Sequence, residues 1–591
     1  MSSASIPQGT VTQLVSEFNQ YGPTPAPAPI VHTQVTMASD LPAVPVSQEP
    51  VSTPQVTQSG PQPIDLRPHQ VDHFRRVQSI LPGFYFYIDG SEMGTGKTKI
   101  ALATCVSTNL PFICFCPLGA RKTWVREQTL HGVPCYNLPE VGGIMTYNCL
   151  AGTKGHQPKH GLLYRVDGSN GTEYHPTPLL IQLLQAGVLI FFDEAQKLKN
   201  TSLQAKAAKA IIRALYSHGG RSRAGLLSGS IMDKEEQATN FMRLVGFIES
   251  RNLYSKNRHR GVVLEGIQEI QNWARRANAT AADQFMATHQ FRASRKAAAQ
   301  YVYEIFTEVI KPAVMSIMPR PEYDAVKDVK NGYYTLPAED DVEYRQAVSS
   351  LAAAVRYNQR DQSVMITAES MGAVTSALVR LQNAKKRAAV RVIRERLQAL
   401  PNVKVLFAAD YYDVIDYLLQ ELRDYSPVEL TGRLSEAVRS RNIDRFNEQN
   451  LNCRLMIMNP KVGGLSVDLH DPTGQFPREA YAMPGYSIND LHQWTGRFYR
   501  DGVKGYVKIR FFYGLSGARE NSILAAIARK GAVMHRVHIE QGTIFPDEYD
   551  DEYEQELDGP EYEMVFDDDE VASTISGALN AMRNLVINTA Q

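Results

Sequence analysis

The chain has little cysteine and no cysteine pattern. Its six cysteines (Cys105, Cys114, Cys116, Cys135, Cys149, Cys453) include no CxxC pair and no Cys/His spacing suited to zinc, which excludes a thiolate metal cage and a disulfide framework as organising devices. Cys114 and Cys116 alternate along an apolar run and read as core packing rather than ligands. Long hydrophobic runs are missing too. The longest apolar stretch, 179–192, is interrupted by Gln182 and Gln185, so no membrane span and no membrane partner are expected. The first 64 residues contain no Lys or Arg and lack the basic and apolar blocks of a signal peptide. These absences together predict an intracellular, reducing compartment and leave nucleus, cytoplasm and virion undistinguished.

Basic charge is absent from a second place. Residues 541–570 hold fourteen Asp and Glu and no Lys or Arg. This is an acidic tail, predicted over 541–591 with a short terminal helix, and residues 1–63, rich in Pro, Ser and Thr, read as a disordered tail. The overall balance of 62 basic and 62 acidic side chains therefore conceals a segregation: residues 65–540 carry 61 basic against 45 acidic groups, a net of +16. A body that positive suits a polyanionic partner, although ordinary solvated surface charge is the alternative. A protein partner for the acidic tail is a further expectation.

At 591 residues the chain exceeds one core and predicts about three to four folding units, fewer if part is disordered. Apolar runs at 84–88, 112–116, 188–192 and 225–228 alternate with helical or polar stretches. A second set lies at 403–409, 427–431, 454–459, 478–483 and 506–512. Each set predicts an α/β unit with a parallel sheet covered on both faces. The expected organisation is thus a first unit over 64–250, a mostly helical insertion and linker over 251–400, and a second unit over 401–540. Within the insertion, the basic helical stretch 385–397 (Lys385, Lys386, Arg387, Arg391, Arg394) reads as a solvated face or, alternatively, as a nucleic-acid track.

Chemistry is concentrated in three segments. SEMGTGKT (91–98) follows a buried strand and opens a helix. Gly94, Thr95 and Gly96 allow backbone N–H groups to approach phosphates, Lys97 reaches the β/γ-phosphates and Thr98 the metal. Ser91 stands where a full phosphate-loop pattern has its first glycine. DEAQ (193–196) follows the apolar run at 188–192, so Asp193 is placed to hold magnesium and Glu194 to deprotonate an attacking water; a helix cap is the alternative. QWTGRFYR (493–500) offers Arg497 and Arg500, three apart on a predicted helix and therefore on one face, to charge building on a γ-phosphate. The expected cofactors are ATP and Mg2+. Closure of two units around one nucleotide would couple hydrolysis to movement.

These segments, with others in the same order, resemble superfamily two helicases, and among them the Swi/Snf-type DNA translocases and their viral relatives. LRPHQ (66–70) resembles the Q-type motif, CPLGARKTWVRE (116–127) motif Ia, MTYNCL (145–150) motif Ib, and DEAQKLKN (193–200) the DEAHRLKN of that family. LLSGSIMDK (226–234) is similar to LLTGTPLQN, the stretch 430–448 to the segment ending in IDRFN, NPKVGGLSVDLHD (459–471) to motif V, QWTGRFYRDG (493–502) to motif VI, and 517–530 to the helix after the last strand. The resemblance implies two RecA-like lobes with a helical insertion, ATP with magnesium, and a nucleic-acid strand held across both lobes. It implies that Gln70 reads adenine, and that Ser228, Gly229 and Ser230 couple ATP state to lobe motion. It also implies that Gly463, Gly464 and Asp468 touch both nucleotide pocket and phosphate backbone. Gln196 in place of His, and SGS in place of TGT, predict an altered coupling between those two motifs.

For nucleic acid the expected contacts are Arg121 and Lys122, then Lys461, all to phosphates. Trp124 is a base-stacking candidate or, alternatively, a packing residue. The expectation is an ATP-dependent translocase on double-stranded DNA. The rivals are a strand-separating DNA or RNA helicase, which needs a wedge, and a non-catalytic ATP-binding scaffold. The acidic tail is expected either to mimic DNA and occupy the track or simply to solubilise.

Overall fold

The computed structural model describes residues 64–524, with breaks at 93, 154, 170, 230, 233–234, 258–260, 320–322, 324, 359–362, 366–367, 461, 463–467, 486–490, 492–493, 501 and 518–519, and then residues 551–553. Two parallel sheets organise the described chain. The first contains β1 (Phe86–Asp89), β2 (Phe112–Cys116), β3 (Ile144–Thr146), β4 (Leu189–Asp193), β5 (Arg223–Leu227) and β6 (Met315–Ser316), in the order β6-β1-β5-β4-β2-β3. Every pairing in it is parallel. Strands β1, β2 and β4 are buried along their whole length, as expected of strands covered by helices on both faces, and this is why they read as unbroken apolar runs. Cys114 and Cys116 lie inside β2, fully buried.

The second sheet contains β7 (Ala325–Tyr334), β8 (Lys404–Ala408), β9 (Val428–Leu430), β10 (Leu455–Met458), β11 (Arg478–Ala482), β12 (Gly505–Gly514) and β13 (Asp551–Tyr553), ordered β9-β10-β8-β11-β12-β7-β13. It too is parallel throughout.

The segment 251–400 does not stand apart as an insertion. Ile267, Ile270, Tyr301, Phe306 and Met315 pack into the core of the first sheet, whereas Tyr333, Tyr344, Leu381 and Ile393 belong to the core of the second. The change of lobe falls between β6 and β7. The basic stretch 385–397 belongs to the long helix Ala368–Ala399 packed in the second core and is solvated only in part, the Arg387 and Arg391 side chains being each 40% exposed. Lys385 is fully buried against Glu520 at 2.8 Å, Arg387 is bonded to Asp340 at 2.5 Å, Arg394 donates to the Glu421 carbonyl at 2.6 Å, and Arg396 pairs with Glu479 at 2.5 Å. Those cations join elements of one lobe.

Three antiparallel ribbons are added to this frame, at Leu163–Gly168 with Gly171–Pro176, Tyr254–Asn257 with Gly261–Leu264, and Arg356–Asn358 with Ser363–Met365. No described helix is long and apolar enough to cross a membrane.

Candidate active site and interlobe cleft

Parallel strands end at one edge, and in α/β sheets ligands bind there. Registers place the critical residues level with one another. Leu227 of β5 pairs with Asp89 of β1 on one side and Asp193 of β4 on the other. The loop after β1, residue Ser228 after β5, and the pair Asp193 and Glu194 therefore share one corner of the first lobe.

The loop after β1 is built for close approach to an anion. Gly94 and Gly96 adopt left-handed conformations, φ 80° and 103°, which glycine enters without a steric cost. Gly96 caps the helix Lys97–Thr108, so the positive end of that helix opens toward the loop. The Lys97 ammonium donates to the carbonyls of Ser91 and Glu92, both at 2.9 Å. Thr98 follows in the first turn, partly exposed.

Ser91 has a structural account. Its N–H donates to Asp89 Oδ1 at 3.0 Å and its hydroxyl accepts from the Met318 N–H at 2.8 Å. The position takes no left-handed backbone and needs no glycine. Beneath it, His73 Nε2 lies 3.1 Å from Asp89 Oδ2, both side chains fully buried. Burial pushes the Asp89 carboxyl up, and His73, Lys97 and Ser91 overcome this to hold it below its usual value.

Gln70 is buried against the same loop. Its amide donates to the Thr95 carbonyl at 3.0 Å, and its oxygen accepts from the Arg67 N–H at 3.0 Å. A β-carbon at Gly96 would collide with this amide. In this structure the Gln70 amide supports the loop backbone itself.

Asp193 is the last residue of β4. Its Oδ2 accepts from the Trp124 indole N–H at 2.9 Å, and its Oδ1 from the Glu194 N–H at 3.0 Å. Trp124 is fully buried and tilted against Phe112 and Phe191, which removes it from base stacking. Its role in orienting the carboxylate went unread in the sequence, because the two residues are far apart in the chain. Burial, then the neighbouring Glu194, push the Asp193 carboxyl up to about 6, against lowering by Trp124 and Lys97.

That displacement has a consequence for stability. The folded-state pKa exceeds the ordinary value of 3.8, so ionised Asp193 destabilises the fold, with a penalty absent below pH 3.8 that grows until about pH 6 and stays constant above. Full development corresponds to about 3 kcal/mol. Asp193→Asn is therefore expected to raise the melting temperature of the nucleotide-free protein by a few degrees at pH 7, with the gain vanishing near pH 4. Calorimetry across that range checks it, and a gain independent of pH would refute the buried-charge account.

Glu194 occupies a left-handed conformation, φ 53° and ψ 51°, which costs a non-glycine residue roughly 1 kcal/mol or more. It carries a relay. The Gln196 amide donates to Glu194 Oε2 at 2.5 Å, and the Ser228 hydroxyl donates to Gln196 Oε1 at 2.5 Å. Ser228 is buried and its N–H donates to the Asp89 carbonyl at 2.9 Å. Two of the positions that depart from the family pattern, Gln196 and Ser228, thus contact each other. Gly229 is half-buried beside them, and Ser230 lies outside the described residues.

The second lobe meets this corner. A β-carbon at Gly94 would come within 2.5 Å of the Arg500 β-carbon, and Arg500 Nε lies 3.6 Å from the same point. Arg500 is ion-paired with Asp468. The hydroxyl of Tyr323, from the connection between lobes, donates to the Gly94 carbonyl at 3.2 Å, and its ring meets Tyr499 edge-on at 5.0 Å.

The expectation that Arg497 and Arg500 share one helix face is corrected. Residues 496–500 are turns and a bend, so the 3.6-residue period does not apply. Arg497 is 1% exposed, and its carbonyl accepts from the Leu469 N–H at 3.1 Å.

A cleft of about 780 Å³ runs between the lobes. From the first lobe it is lined by the chain after β2 (Cys116 to Gly119), by Tyr147 and Asn148, and by Lys197 and Gln204; from the second by Tyr412, Gly432, Arg439, Asn459 and Val462. Registers explain the second wall: Met458 of β10 pairs with Leu430 of β9 and Ala408 of β8, so the residues that follow these strands gather on one edge. Arg439 Nε is shielded from solvent and has no hydrogen-bond partner among the described residues.

Of the residues expected at nucleic acid, Arg121 donates through Nε to the Ile144 carbonyl at 3.1 Å. Lys122 donates to the Ser440 hydroxyl across the lobes. Lys461, Gly463 and Gly464 lie outside the described residues. Lys197, Gln204, Tyr412 and Arg439 were not foreseen, since nothing in their local sequence separates them from ordinary surface positions. No group of three or more His, Cys, Asp and Glu that could hold a metal ion occurs among the described residues.

No family model matches the chain. Among curated proteins, it is 22% identical over 480 residues to one from Acanthamoeba polyphaga mimivirus named "Putative ATP-dependent RNA helicase", covering 79% of this chain and 82% of that protein. It is 32% identical over 132 residues to a DNA repair and recombination protein RAD54-like of Drosophila persimilis, a match covering 22% of this chain and 16% of the relative's length. Among solved structures, the Sulfolobus solfataricus SWI2/SNF2 ATPase core in complex with dsDNA aligns with 81% of this chain and 98% of its own, at 14% identity and a TM-score of 0.27. The same core domain alone gives 17% identity and a TM-score of 0.28, over 79% of this chain and 89% of its own. The chain is thus similar over most of its length to a viral protein named as an ATP-dependent helicase and, over 132 residues, to RAD54-like proteins.

Proposed function

We propose that the protein is a nucleic-acid-stimulated ATPase that moves along double-stranded DNA by opening and closing its two lobes around ATP. The observation that carries this reading is the meeting of Arg500 with Gly94: two segments about four hundred residues apart form one cradle.

The residues present fit ATP with magnesium. A left-handed glycine loop, a helix N-terminus and Lys97 suit the phosphates. A magnesium ion usually keeps several waters and takes one or two carboxylates plus phosphate oxygens. Asp193 and the Thr98 hydroxyl would hold it. When bound, the ion would neutralise charge between the phosphates. Phosphate oxygens would take the Lys97 ammonium from the carbonyls it now bonds. Glu194, aimed by Gln196, would accept the proton of an attacking water. Arg500 would exchange Asp468 for the γ-phosphate, and its withdrawal after hydrolysis would free the lobes to part. Ser228 would report that change through Gln196.

The cleft is the proposed track. Lys197 and Arg439 face it from opposite lobes, and cations on both walls suit a phosphate backbone read without regard to sequence. Arg439→Ala is expected to weaken duplex binding several-fold and to reduce the slope of log affinity against log salt by about 1, with ATP turnover in the absence of nucleic acid unchanged. A slope equal to the wild type's would remove Arg439 from the track. Phosphate release measured against duplex DNA, single-stranded DNA and RNA tests the reading as a whole. Stimulation by blunt duplex without strand displacement supports it, and stimulation by RNA alone overturns the DNA assignment. The ribbon Leu163–Pro176 gives strand separation one supporting observation. Lys206 braces its Thr172 carbonyl at 3.1 Å, and Gln204 of the same helix lines the cleft. Release of a labelled strand from a forked duplex would favour that second activity.

A further inference from the structure

The far edge of the second sheet holds an arrangement that ATP chemistry does not use. Strand β7 directly follows the connection between lobes. Its inner side pairs with β12 over ten residues, from Ala325 with Gly505 to Tyr334 with Gly514. Its outer side pairs with β13, Asn331 with Asp551, Gly332 with Glu552 and Tyr333 with Tyr553. An edge strand offers a row of unsatisfied backbone groups, and adding a strand is the ordinary way to satisfy them. Here the added strand comes from the acidic segment.

Its one described acidic side chain is seated by charge. In a parallel ladder, alternate residues share a face, so Asp328, Lys330 and Gly332 of β7 lie on the side that also carries Lys508 and Arg510 of β12 and Glu552 of β13. Glu552 stands opposite Gly332, a position covered by the ring of Tyr334. The Glu552 carboxylate pairs with Arg510 and, at 3.2 Å, with Lys508. The Arg510 side chain is only 2% exposed and also pairs with Asp328 at 2.6 Å. A guanidinium so buried is costly to leave under-compensated, so the seat favours a carboxylate at that register over an acidic chain in general.

We propose that this edge is a docking site for the chain's own acidic segment, a reversible strand addition that fastens residues 551–553 to the second lobe through Glu552. The described part of the tail then sits at the sheet edge and not among the residues lining the cleft, which gives occupation of the track by mimicry no support at these positions. Docking also extends the strand whose first residue, Ala325, accepts the Tyr499 hydroxyl at 3.3 Å. The tail is thereby tied to the strand that bonds Tyr499, whose ring meets Tyr323.

Hydrogen exchange on the full chain at low ionic strength tests this. Amides of 551–553 in the wild type are expected to exchange roughly tenfold or more slowly than an unstructured chain. Glu552→Lys should abolish that protection, and Lys508→Glu combined with Glu552→Lys should recover part of it. Because the cations act by charge, raising salt to about 1 M should weaken protection in the wild type. Unchanged nucleotide binding in each variant confirms that both lobes remain folded. Wild-type exchange at the unprotected rate, or protection that survives Glu552→Lys undiminished, overturns the proposal.

Discussion

Glu194→Gln is expected to lower the rate of ATP hydrolysis by about 10²–10⁴-fold, the range for loss of a positioned general base, while nucleotide binding stays within a few-fold of wild type. The reason lies in the relay. An amide at position 194 retains an oxygen able to accept from Gln196, 2.5 Å from the present carboxylate, so the loop and its left-handed backbone have no cause to move. What is lost is the ability to take a proton. A purely structural contribution would lower nucleotide affinity and thermal stability along with the rate. Steady-state phosphate release with duplex DNA, set beside equilibrium binding of a fluorescent nucleotide, separates the two outcomes. Hydrolysis at the wild-type rate by the Glu194→Gln variant would sink the assignment and restore the scaffold reading.

The second large effect is expected at Arg500. Arginines that neutralise charge on a transferring phosphoryl group contribute about 10³–10⁵ in rate, and Arg500→Ala should cost turnover at the lower end of that range, with a smaller loss of ATP affinity. Arg500→Lys should recover little, because an ammonium lacks the planar fork and the reach past Gly94. Arg497→Ala is the instructive comparison. That side chain is 1% exposed, so its removal should lower the melting temperature of the second lobe, an effect not expected from Arg500→Ala at a side chain 19% exposed. Thermal denaturation alongside turnover distinguishes them, and equal destabilisation by both would mean that Arg500 serves packing.

The strands of both sheets were legible wherever burial on two faces demanded continuous apolar residues. The expected run at 112–116 coincides with β2, and that at 188–192 is offset by one residue from β4. Strands lacking that demand were missed. Ile144–Thr146 and Met315–Ser316 are too short to show a period. Ala325–Tyr334 carries Lys327, Asp328, Lys330 and Asn331 because it lies near the sheet's edge, where partly exposed positions and cross-strand charge pairs tolerate polar residues. The basic helix 385–397 misled in part, because charge in a sequence does not disclose which side chains stay half in water, as Arg387 and Arg391 do, and which are buried against a carboxylate, as Lys385 is.

The phosphate loop, the acidic pair and the late arginines, Arg497 and Arg500, stand out as patterns in the chain alone, because each is a local pattern in which backbone conformation and side-chain chemistry are set by a few adjacent residues. Tertiary structure alone decided that Trp124 holds Asp193, that Gln196 joins Glu194 to Ser228, that Arg500 reaches Gly94, and that Glu552 meets Arg510. Each of these joins residues brought together only when strand registers align the ends of the sheets, and no spacing along the chain encodes a distance that packing creates.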